Sequence, residues 1–236
     1  MNESDTTRLN KFIADSGFCS RREADRLIEG GRVTVDGRKA EMGERISPEQ
    51  DVCVDGTSVT REEETILLVF NKPAGLVCTT SDDEDDNVVK FINYPKRIYP
   101  IGRLDKYSEG LLLLTNRGDL VNGIMRSRYN HEKEYVVTVD RPVTEKFLNA
   151  MAAGVPILGT TTKQCKTKKL ARNKFDMIIT QGMNRQIKRM CEYFDYRVMS
   201  LRRIRIMNIV LGDLRSGEYR KASEKEIEEI LGQKAQ

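Results

Sequence analysis

The sequence PIGRLDKYSEGLLLLT, residues 100–115, is the stretch around which the rest of the chain can be organised. Its proline and first glycine are typical of a turn, and four consecutive leucines follow Gly110, a pattern that predicts a buried strand entered from a loop. Asp105 is thereby predicted at the edge of an apolar wall. Because a carboxylate with few water partners attacks better than a solvated one, Asp105 is a candidate nucleophile. The residues alone leave a second interpretation open, in which Arg103 and Asp105 form only a surface salt bridge.

Composition limits the class of protein. With 236 residues and 39% apolar content, the chain can form one large domain, or a small and a medium one, with a real core. No stretch approaches the roughly 20 apolar residues of a membrane span, and the N-terminus lacks the apolar centre of a signal peptide. Five scattered cysteines and one histidine favour neither a disulfide framework nor a metal site. The sequence therefore predicts a cytoplasmic protein without membrane association.

Charge is distributed unevenly along the chain. The net charge of +4 does not by itself indicate nucleic-acid binding. Residues 163–205, however, contain thirteen lysines and arginines against three acids, which is what contact with phosphates requires. The opposing acidic run, residues 82–86, lacks the ligand spacing of a calcium loop and is interpreted as an exposed loop.

The N-terminal part predicts a small module of two helices followed by two short strands. Ser20, with Glu23 three residues later, is a capping-box signature for the second helix. The strands RVTV and DVCV each end at Asp-Gly, a dipeptide favoured in tight turns. Arg22 and Arg26 are predicted on the helix face opposite the core, with Arg21 at its flank. This face is either a binding surface or an ordinary solvated one.

A polar stretch at residues 57–65 is interpreted as a linker, which predicts domains at 6–62 and 63–232. The second domain predicts an α+β fold with more strands than helices. Within it, KEYVVTV, residues 133–139, alternates as a strand does and places Tyr135 on the apolar face, where tyrosine is ordinarily a core residue.

Two basic elements follow in the second domain. In MNRQIKRMCEYF, residues 183–194, apolar residues fall on one helical face and Arg185, Lys188 and Arg189 on the other. A cation on the first two turns of this helix could reach a carboxylate or phosphate at the preceding loop. The arginines of VMSLRRIRIMNIVL, residues 198–211, predict a strand with one basic face.

The N-terminal module, with SRREADRLIEGGRVTVDGRKA at its centre, resembles the S4 RNA-binding module of ribosomal protein S4 and many RNA-modifying enzymes. The resemblance covers about residues 6–55. It implies that five cations lie near a surface that meets structured RNA: Arg8, Lys11, Arg21, Arg22 and Arg32.

Behind this module stand NKPAGLVCTT, PIGRLDKYSEGLLLLT, HEKEYVVTV, GVPILGTTTK and QGMNRQIKRMCEYF, in that order. The ordered set resembles the bacterial ribosomal small- and large-subunit pseudouridine synthases, over about residues 6–231. The resemblance implies an S4-like domain followed by a catalytic domain with a mixed, mainly antiparallel sheet. It also implies isomerisation of specific uridines to pseudouridine in 23S ribosomal RNA, by base flipping and without a cofactor.

The resemblance assigns roles to four residues. Asp105 would be the nucleophile, attacking either C1′ of the ribose or C6 of the base. Arg103 would help hold the target nucleotide out of its stack, and Tyr135 would pack against the flipped uracil. Lys188 would pair with Asp105; this position is often arginine in the wider superfamily, and a lysine supplies a point charge instead of a fork.

The expected partner is ribosomal RNA, either a 23S stem-loop or the assembling large subunit, bound by a monomer. Cations of the basic segment expected to contact this RNA are Lys166, Lys168, Lys169, Arg185, Arg189, Arg202 and Arg203. The alternative function is a non-catalytic RNA-binding factor in ribosome assembly. A metal-dependent nuclease is a third alternative. It is the weakest, because the dense carboxylates lack the spacing that metal ligands need.

Overall fold

The computed structural model describes residues 6–60, 64–81, 83–125 and 130–232. Its described parts divide into two compact units. One comprises Met1–Ile66, Tyr94–Ile98 and Asn116–Gly118, and the other comprises Leu67–Asn93, Tyr99–Thr115 and Asp119–Gln236. The boundary predicted at residues 62 and 63 lies outside the described residues.

The first unit contains two helices packed on short strands. Its elements are β1 (Thr7–Arg8), α1 (Leu9–Asp15), α2 (Arg21–Glu29), β2 (Val33–Val35), β3 (Arg38–Lys39), β4 (Arg45–Ile46), β5 (Val52–Val54) and β6 (Thr57–Ser58). An antiparallel sheet has the order β3-β2-β5-β6, and β1 pairs with β4. Apolar side chains of both helices and of β2 and β5 form its core.

The turns of this unit explain its strand pairing. Asp36 and Asp55 have φ angles of 51° and 50°, and the following glycines 79° and 78°. Two successive left-handed residues are what a tight hairpin turn needs, and Asp-Gly supplies them. Each predicted strand therefore continues past its turn into a second strand. The linker predicted at 57–65 is wrong in part, because Thr57–Ser58 forms β6 against β5.

The predicted capping of α2 is present, since the Ser20 hydroxyl accepts a hydrogen bond from the Glu23 amide at 3.1 Å. The Glu23 carboxylate pairs with Arg26 at 3.0 Å. Arg21, Arg22 and Arg26 are all exposed, as the helical spacing predicts. The outer face of α2 is therefore basic and open to solvent.

The second unit is built on one large sheet. Its elements are β7 (Leu67–Lys72), α3 (Val88–Ile92), β8 (Tyr99–Ile101), β9 (Glu109–Thr115), α4 (Gly118–Met125), β10 (Lys133–Val139), α5 (Glu145–Ala153), β11 (Pro156–Ile157), β12 (Thr160–Thr161), β13 (Lys166–Ala171), β14 (Lys174–Ile179), α6 (Gln186–Tyr193), β15 (Val198–Ile206), β16 (Ile209–Val210), β17 (Tyr219–Lys221) and α7 (Glu224–Gly232). The strand order is β13-β14-β10-β15-β9-β7-β17, with β16 beside β15 and β8 beside β9. Within it, β9 and β15 run parallel and the other pairs run antiparallel.

This architecture confirms the α+β prediction with a mixed, mainly antiparallel sheet. The four leucines of β9 are fully buried, because this central strand is covered on both faces. The alternation of β10 is also confirmed, with Tyr135, Val137 and Val139 buried on one face. In α7, the Ser223 hydroxyl accepts from the Glu226 amide while the Glu226 carboxylate accepts from the Ser223 amide, a complete capping box.

Three features of the second unit differ from the sequence predictions. Helix α4 was not predicted. The basic segment 163–174 contains a strand, β13, which forms the edge of the sheet against β14. The arginines of β15 do not share one basic face, because Arg202 is exposed whereas Arg203 is buried.

A β-bulge also separates Arg203 from Arg205. Tyr135 and Glu134 are adjacent on β10, but they oppose Arg203 and Arg205 on β15, so β15 carries one extra residue at this point. Arg203 therefore faces the same side as Tyr135, and Arg205 pairs with Glu134 on the other side.

Three described members of the acidic run, Asp83, Asp85 and Asp86, are exposed and Glu84 is half-buried; Asp82 lies outside the described residues. Asp85 forms an ion pair with Lys90, and Asp86 forms one with Lys106.

Among the helices that the structure describes, none combines the length and apolar character needed to cross a membrane.

Candidate active site

A pocket of about 500 Å³ opens in the second unit. Its wall combines the loop that precedes β9, the face of β10 that carries Tyr135, the loop before α6, and β15. The volume is in the range typical of small-ligand sites. Polar residues in its lining include Arg103, Asp105, Lys133, Tyr135 and Arg203.

Asp105 lies in the loop before β9, and its Oδ2 is 3.0 Å from Nζ of Lys188 in the first turn of α6. Their side chains are 33% and 15% exposed, so water screens this ion pair less than it screens a surface pair. The pairing expected from the resemblance is therefore present. It requires α6 to begin at Gln186, three residues later than the sequence pattern suggested.

Tyr135 is 7% exposed and forms part of the pocket wall. Its hydroxyl oxygen is 3.4 Å from Nη1 of Arg203, and the Arg203 guanidinium carbon is 5.9 Å from the centre of the Tyr135 ring. The ring is thus a core residue and a pocket residue at once. Arg103 also lines the pocket, but its side chain is exposed.

Backbone hydrogen bonds fix the loop that carries Asp105. The Leu104 amide donates to the Cys78 sulfur at 3.3 Å, and the Gly75 amide donates to the Lys106 carbonyl at 2.8 Å. The Ser108 amide donates to the Asp105 carbonyl at 3.0 Å. The carboxylate is therefore carried by a loop tied to its neighbours on both sides.

Lys72 is a residue of this site that the sequence analysis missed. Its fully buried ammonium donates to the carbonyl oxygens of Pro73 at 3.0 Å, Lys106 at 3.1 Å and Ser108 at 2.9 Å. Burial lowers the pKa of this ammonium, and the negative charge of Asp105 is among the effects that oppose the shift. Three carbonyls on two segments thus depend on one side chain. The signal in the sequence is a lysine at the end of an apolar strand, directly before a proline.

We expect Lys72→Met to lower activity more than it lowers stability. The substitution removes the ammonium donor from three carbonyls, of which only the Lys106 carbonyl keeps a described second donor, the Gly75 amide; leaving buried acceptors unpaired costs about 1–3 kcal/mol. The carbonyls of Lys106 and Ser108 lie in the loop just after Asp105, so the carboxylate is also expected to lose its position, and small displacements in an active site cost up to about 100-fold in rate. Thermal unfolding and single-turnover rates measure the two effects. Wild-type turnover in a folded Lys72→Met variant would contradict this role.

The other predicted RNA-binding residues are dispersed. In the first unit, Arg32 forms a two-point ion pair with Asp55 at 2.8 and 2.5 Å, Lys11 lies 4.0 Å from Asp15, and Arg8 is exposed.

In the second unit, Lys166 pairs with Glu132 at 3.0 Å, while Lys168, Lys169 and Arg202 are exposed. Arg203 lies in the pocket wall and not on the exposed basic surface where it was predicted.

Two predicted RNA contacts of the second unit lie at the start of α6. Arg185 has a left-handed φ angle of 51° and lies 3.7 Å from Glu192. Arg189 donates to the backbone and side-chain oxygens of Asn184 at 3.1 and 3.3 Å. Both residues therefore have partners within their own helix and its preceding loop.

Within the described ranges, no group of three or more His, Cys, Asp or Glu is placed to hold a metal ion.

Comparison with known proteins decides the family. The model of the family described as RNA pseudouridylate synthase matches residues 66–193, more than half of the chain. The chain belongs to this family. The S4 domain model matches residues 7–53, in the first unit. The protein is therefore an RNA pseudouridine synthase with an N-terminal S4 domain, and the enzyme interpretation is confirmed.

Individual relatives agree with this assignment. The dual-specificity RNA pseudouridine synthase RluF of Escherichia coli K12 is 53% identical over 228 residues, covering 96% of this chain and 79% of the relative. The ribosomal large subunit pseudouridine synthase B of Bacillus subtilis 168 is 35% identical over 232 residues, covering 94% and 95%. A crystal structure of a pseudouridylate synthase, 33% identical, superposes with a TM-score of 0.69 and covers 94% of this chain and 99% of that one.

The pocket of a pseudouridine synthase has to serve one demanding step. The enzyme isomerises uridine to pseudouridine, which requires that an N-glycosidic bond break and that the freed uracil stay bound while it turns. A half-buried carboxylate and an aromatic wall border one small cavity, and a lysine outside the cavity lining contacts the carboxylate.

Proposed function

We propose that the protein converts specific uridines of 23S ribosomal RNA to pseudouridine, with Asp105 as the nucleophile. The observation that carries the proposal is the ion pair between Asp105 and Lys188 at the pocket that Tyr135 also lines. A carboxylate in a merely structural surface salt bridge would not be expected to border a cavity of this size. The relative named as a ribosomal large subunit pseudouridine synthase supports the choice of substrate.

Lys188 contacts Oδ2 of Asp105, so we assign the attack to Oδ1. The fixed pair holds the carboxylate in one orientation before the substrate arrives, which lowers the entropic cost of the attack. Because an ammonium is a point charge, it holds one carboxylate oxygen and does not clamp both as a guanidinium fork can.

The target base has to leave the RNA helix before Asp105 can reach it. Extruding a base costs a few kcal/mol, which stacking and phosphate contacts offset. We assign the stacking surface to Tyr135 in the pocket wall, and we propose that the exposed Arg103 helps keep the nucleotide extruded. Phosphate contacts are assigned to those exposed cations of both units that the sequence analysis named as RNA-binding residues.

The S4 unit is proposed to dock the RNA through α2. We expect Arg21→Glu with Arg22→Glu to weaken RNA binding and to lower the slope of log K against log salt by about one per lost phosphate contact. At saturating RNA the single-turnover rate should stay near wild type, because the change affects binding shared by ground and transition states. Filter binding at several salt concentrations and rapid-quench assays measure both.

Glu29→Lys is a suitable control for that double variant, since this exposed residue lies at the other end of α2 and outside the proposed contact. Unchanged binding in the Arg21 and Arg22 double variant would show that this face is only solvated. A rate that saturating RNA cannot restore would show that the S4 unit also positions the target.

The ribosomal substrate is either free 23S RNA or the assembling large subunit, which would place the reaction in the cytoplasm. We propose that the protein acts as a monomer. The decisive test maps pseudouridines in ribosomal RNA from cells with and without the gene. Loss of specific 23S pseudouridines, restored by the wild-type gene, is the expected result; an unchanged map would contradict the proposal.

A further inference from the structure

The pocket contains two cations that the mechanism above does not use. Arg203 on β15 is 4% exposed, and Lys133 begins β10, two residues before Tyr135. The bulge in β15 directs Arg203 to the side of the sheet that carries Tyr135, and strand alternation places Lys133 on that side too. Both residues line the cavity that Asp105 borders.

Arg203 is only partly satisfied by the protein. Its Nε donates to the Leu111 carbonyl at 2.7 Å, and its Nη1 lies 3.4 Å from the Tyr135 hydroxyl oxygen, a long contact. In the part of the chain that the structure describes, Nη2 is buried and has no hydrogen-bond partner. A buried guanidinium donor without an acceptor is costly, so its retention indicates that an acceptor enters the pocket during function.

The charges of both residues are also not neutralised by neighbouring acids. The two glutamates that flank Lys133 in sequence, Glu132 and Glu134, pair with Arg205 at 3.0 and 2.5 Å. Within the described residues, Lys133 Nζ lies 3.4 Å from the carbonyl oxygen of His131 and forms no ion pair. Burial lowers the pKa of Lys133, and the positive charge of Arg203 lowers it further, which is consistent with two cations near one another. The pocket therefore presents two positive charges to an anionic group that enters it.

We propose that Arg203, assisted by Lys133, stabilises the negative charge that develops on the uracil ring during isomerisation. The inference rests on the proposed function and assigns a role that Asp105, Lys188 and Tyr135 do not supply. Donors that are already oriented towards developing charge, in a site with little water, are among the largest contributions to enzymatic rates. The assigned ligand is thus an anionic pyrimidine, bound through its carbonyl oxygens.

Both routes open to Asp105 produce this anion. If Oδ1 attacks C1′, the new C1′–O bond replaces the C1′–N1 bond, and the electron pair stays on N1 and spreads to O2 and O4. If Oδ1 attacks C6, the C6–O bond forms and the C5–C6 π pair moves to C5 and O4. In either case the ring gains one negative charge, the N3 proton is retained and no further reactant is consumed.

The test compares Arg203→Met, Lys133→Met and Arg203→Lys in single turnover at saturating RNA. Two RNAs are used, one with uridine and one with 5-fluorouridine at the target. Because the fluorinated base has no C5 proton to release, the product scored on both RNAs is the nucleoside linked through C5, and not pseudouridine alone. Fluorine withdraws electrons and stabilises the ring anion, so a variant that lacks the cation should lose less on the fluorinated RNA. We expect Arg203→Met to lose about 100-fold or more on uridine, the scale of one lost oxyanion donor, and several-fold less on 5-fluorouridine. Arg203→Lys should recover part of the rate.

Arg215→Met, which removes an exposed arginine in the turn before β17, serves as the control for charge loss and should behave as wild type. An equal loss on both RNAs would overturn the proposal, because it would show that Arg203 only supports Tyr135 and Leu111. Wild-type rates in Arg203→Met and Lys133→Met would overturn it as well. If Arg203→Met does not fold, the rate losses of Lys133→Met on the two RNAs are compared in its place, and an equal loss on both overturns the proposal. Failure of the proposed function is distinguishable, since wild-type protein would then leave both target RNAs unconverted.

Discussion

Replacing Asp105 by asparagine is expected to abolish isomerisation, with a rate loss of about 10⁴-fold or more, the scale of a lost enzymatic nucleophile. The amide preserves the shape of the side chain but has no anionic oxygen with which to attack. Affinity for RNA should change by no more than a few fold, because docking is assigned to other residues. Single-turnover assays with mass-spectrometric detection of pseudouridine, together with RNA-binding titrations, measure both quantities.

Asp85→Asn is the matched control for this experiment. Asp85 is an exposed acid in the neighbouring loop, where it also pairs with a lysine, Lys90, at 3.3 Å. The same chemical change there should leave turnover at the wild-type level. Turnover above background in Asp105→Asn would remove Asp105 from the role of nucleophile, whatever its distance from Lys188.

Replacing Gly110 by alanine is expected to destabilise the second unit severely. Gly110 has a φ angle of +97°, and a Cβ atom there would lie 2.2 Å from the carbonyl oxygen and 2.9 Å from the amide nitrogen of Arg203. These are backbone atoms of the parallel partner strand, β15, so no side-chain rotation can relieve the overlap. Separating β9 from β15 would break the centre of the sheet. We expect a loss of at least about 4 kcal/mol, the range reached by the most disruptive single substitutions.

Gly75→Ala is the control that separates the cost of a positive φ angle from the cost of overlap between the new Cβ atom and its neighbours. Gly75 has nearly the same φ angle, +96°, but a Cβ atom there would have nothing within 4 Å. Only the conformational cost of about 1–3 kcal/mol should appear in this variant. Denaturant unfolding of both proteins gives the comparison. Equal stability of the two variants would show that β9 and β15 can move apart at little cost.

Much of the fold could be predicted from local patterns. The leucines of β9, the alternation of β10 and the Ser-x-x-Glu caps of α2 and α7 all depend on residues close together in sequence. Helix α4 and strand β13 were missed because their sequences, GDLVNGIM and KTKKLA, carry weak signals. An edge strand rich in lysine pairs with a neighbour on one side only, so its apolar pattern is poor.

The candidate site was predictable only where the resemblance supplied motifs. Asp105, Tyr135 and Lys188 were placed in this way; the structure brings Asp105 and Tyr135 to one pocket and Lys188 into contact with Asp105. Lys72 was not found, since a lysine at the end of an apolar strand does not reveal that its ammonium reaches three carbonyl oxygens.

The sequence by itself determined the α+β class and the S4-like module, because these follow from composition, spacing and motif order. For the loop before β9 it supplied a candidate nucleophile, whose role is what the resemblance implies. Only the tertiary structure decided which arginine of β15 enters the pocket. Regular alternation would put Arg203 and Arg205 on the same face of the sheet. Because β15 has one extra residue where it pairs with Glu134 and Tyr135, the two arginines lie on different faces. A bulge depends on how two strands pair that are separated by about 60 residues in sequence. The energy of that pairing depends on both strands together, so the sequence of one strand does not predict it.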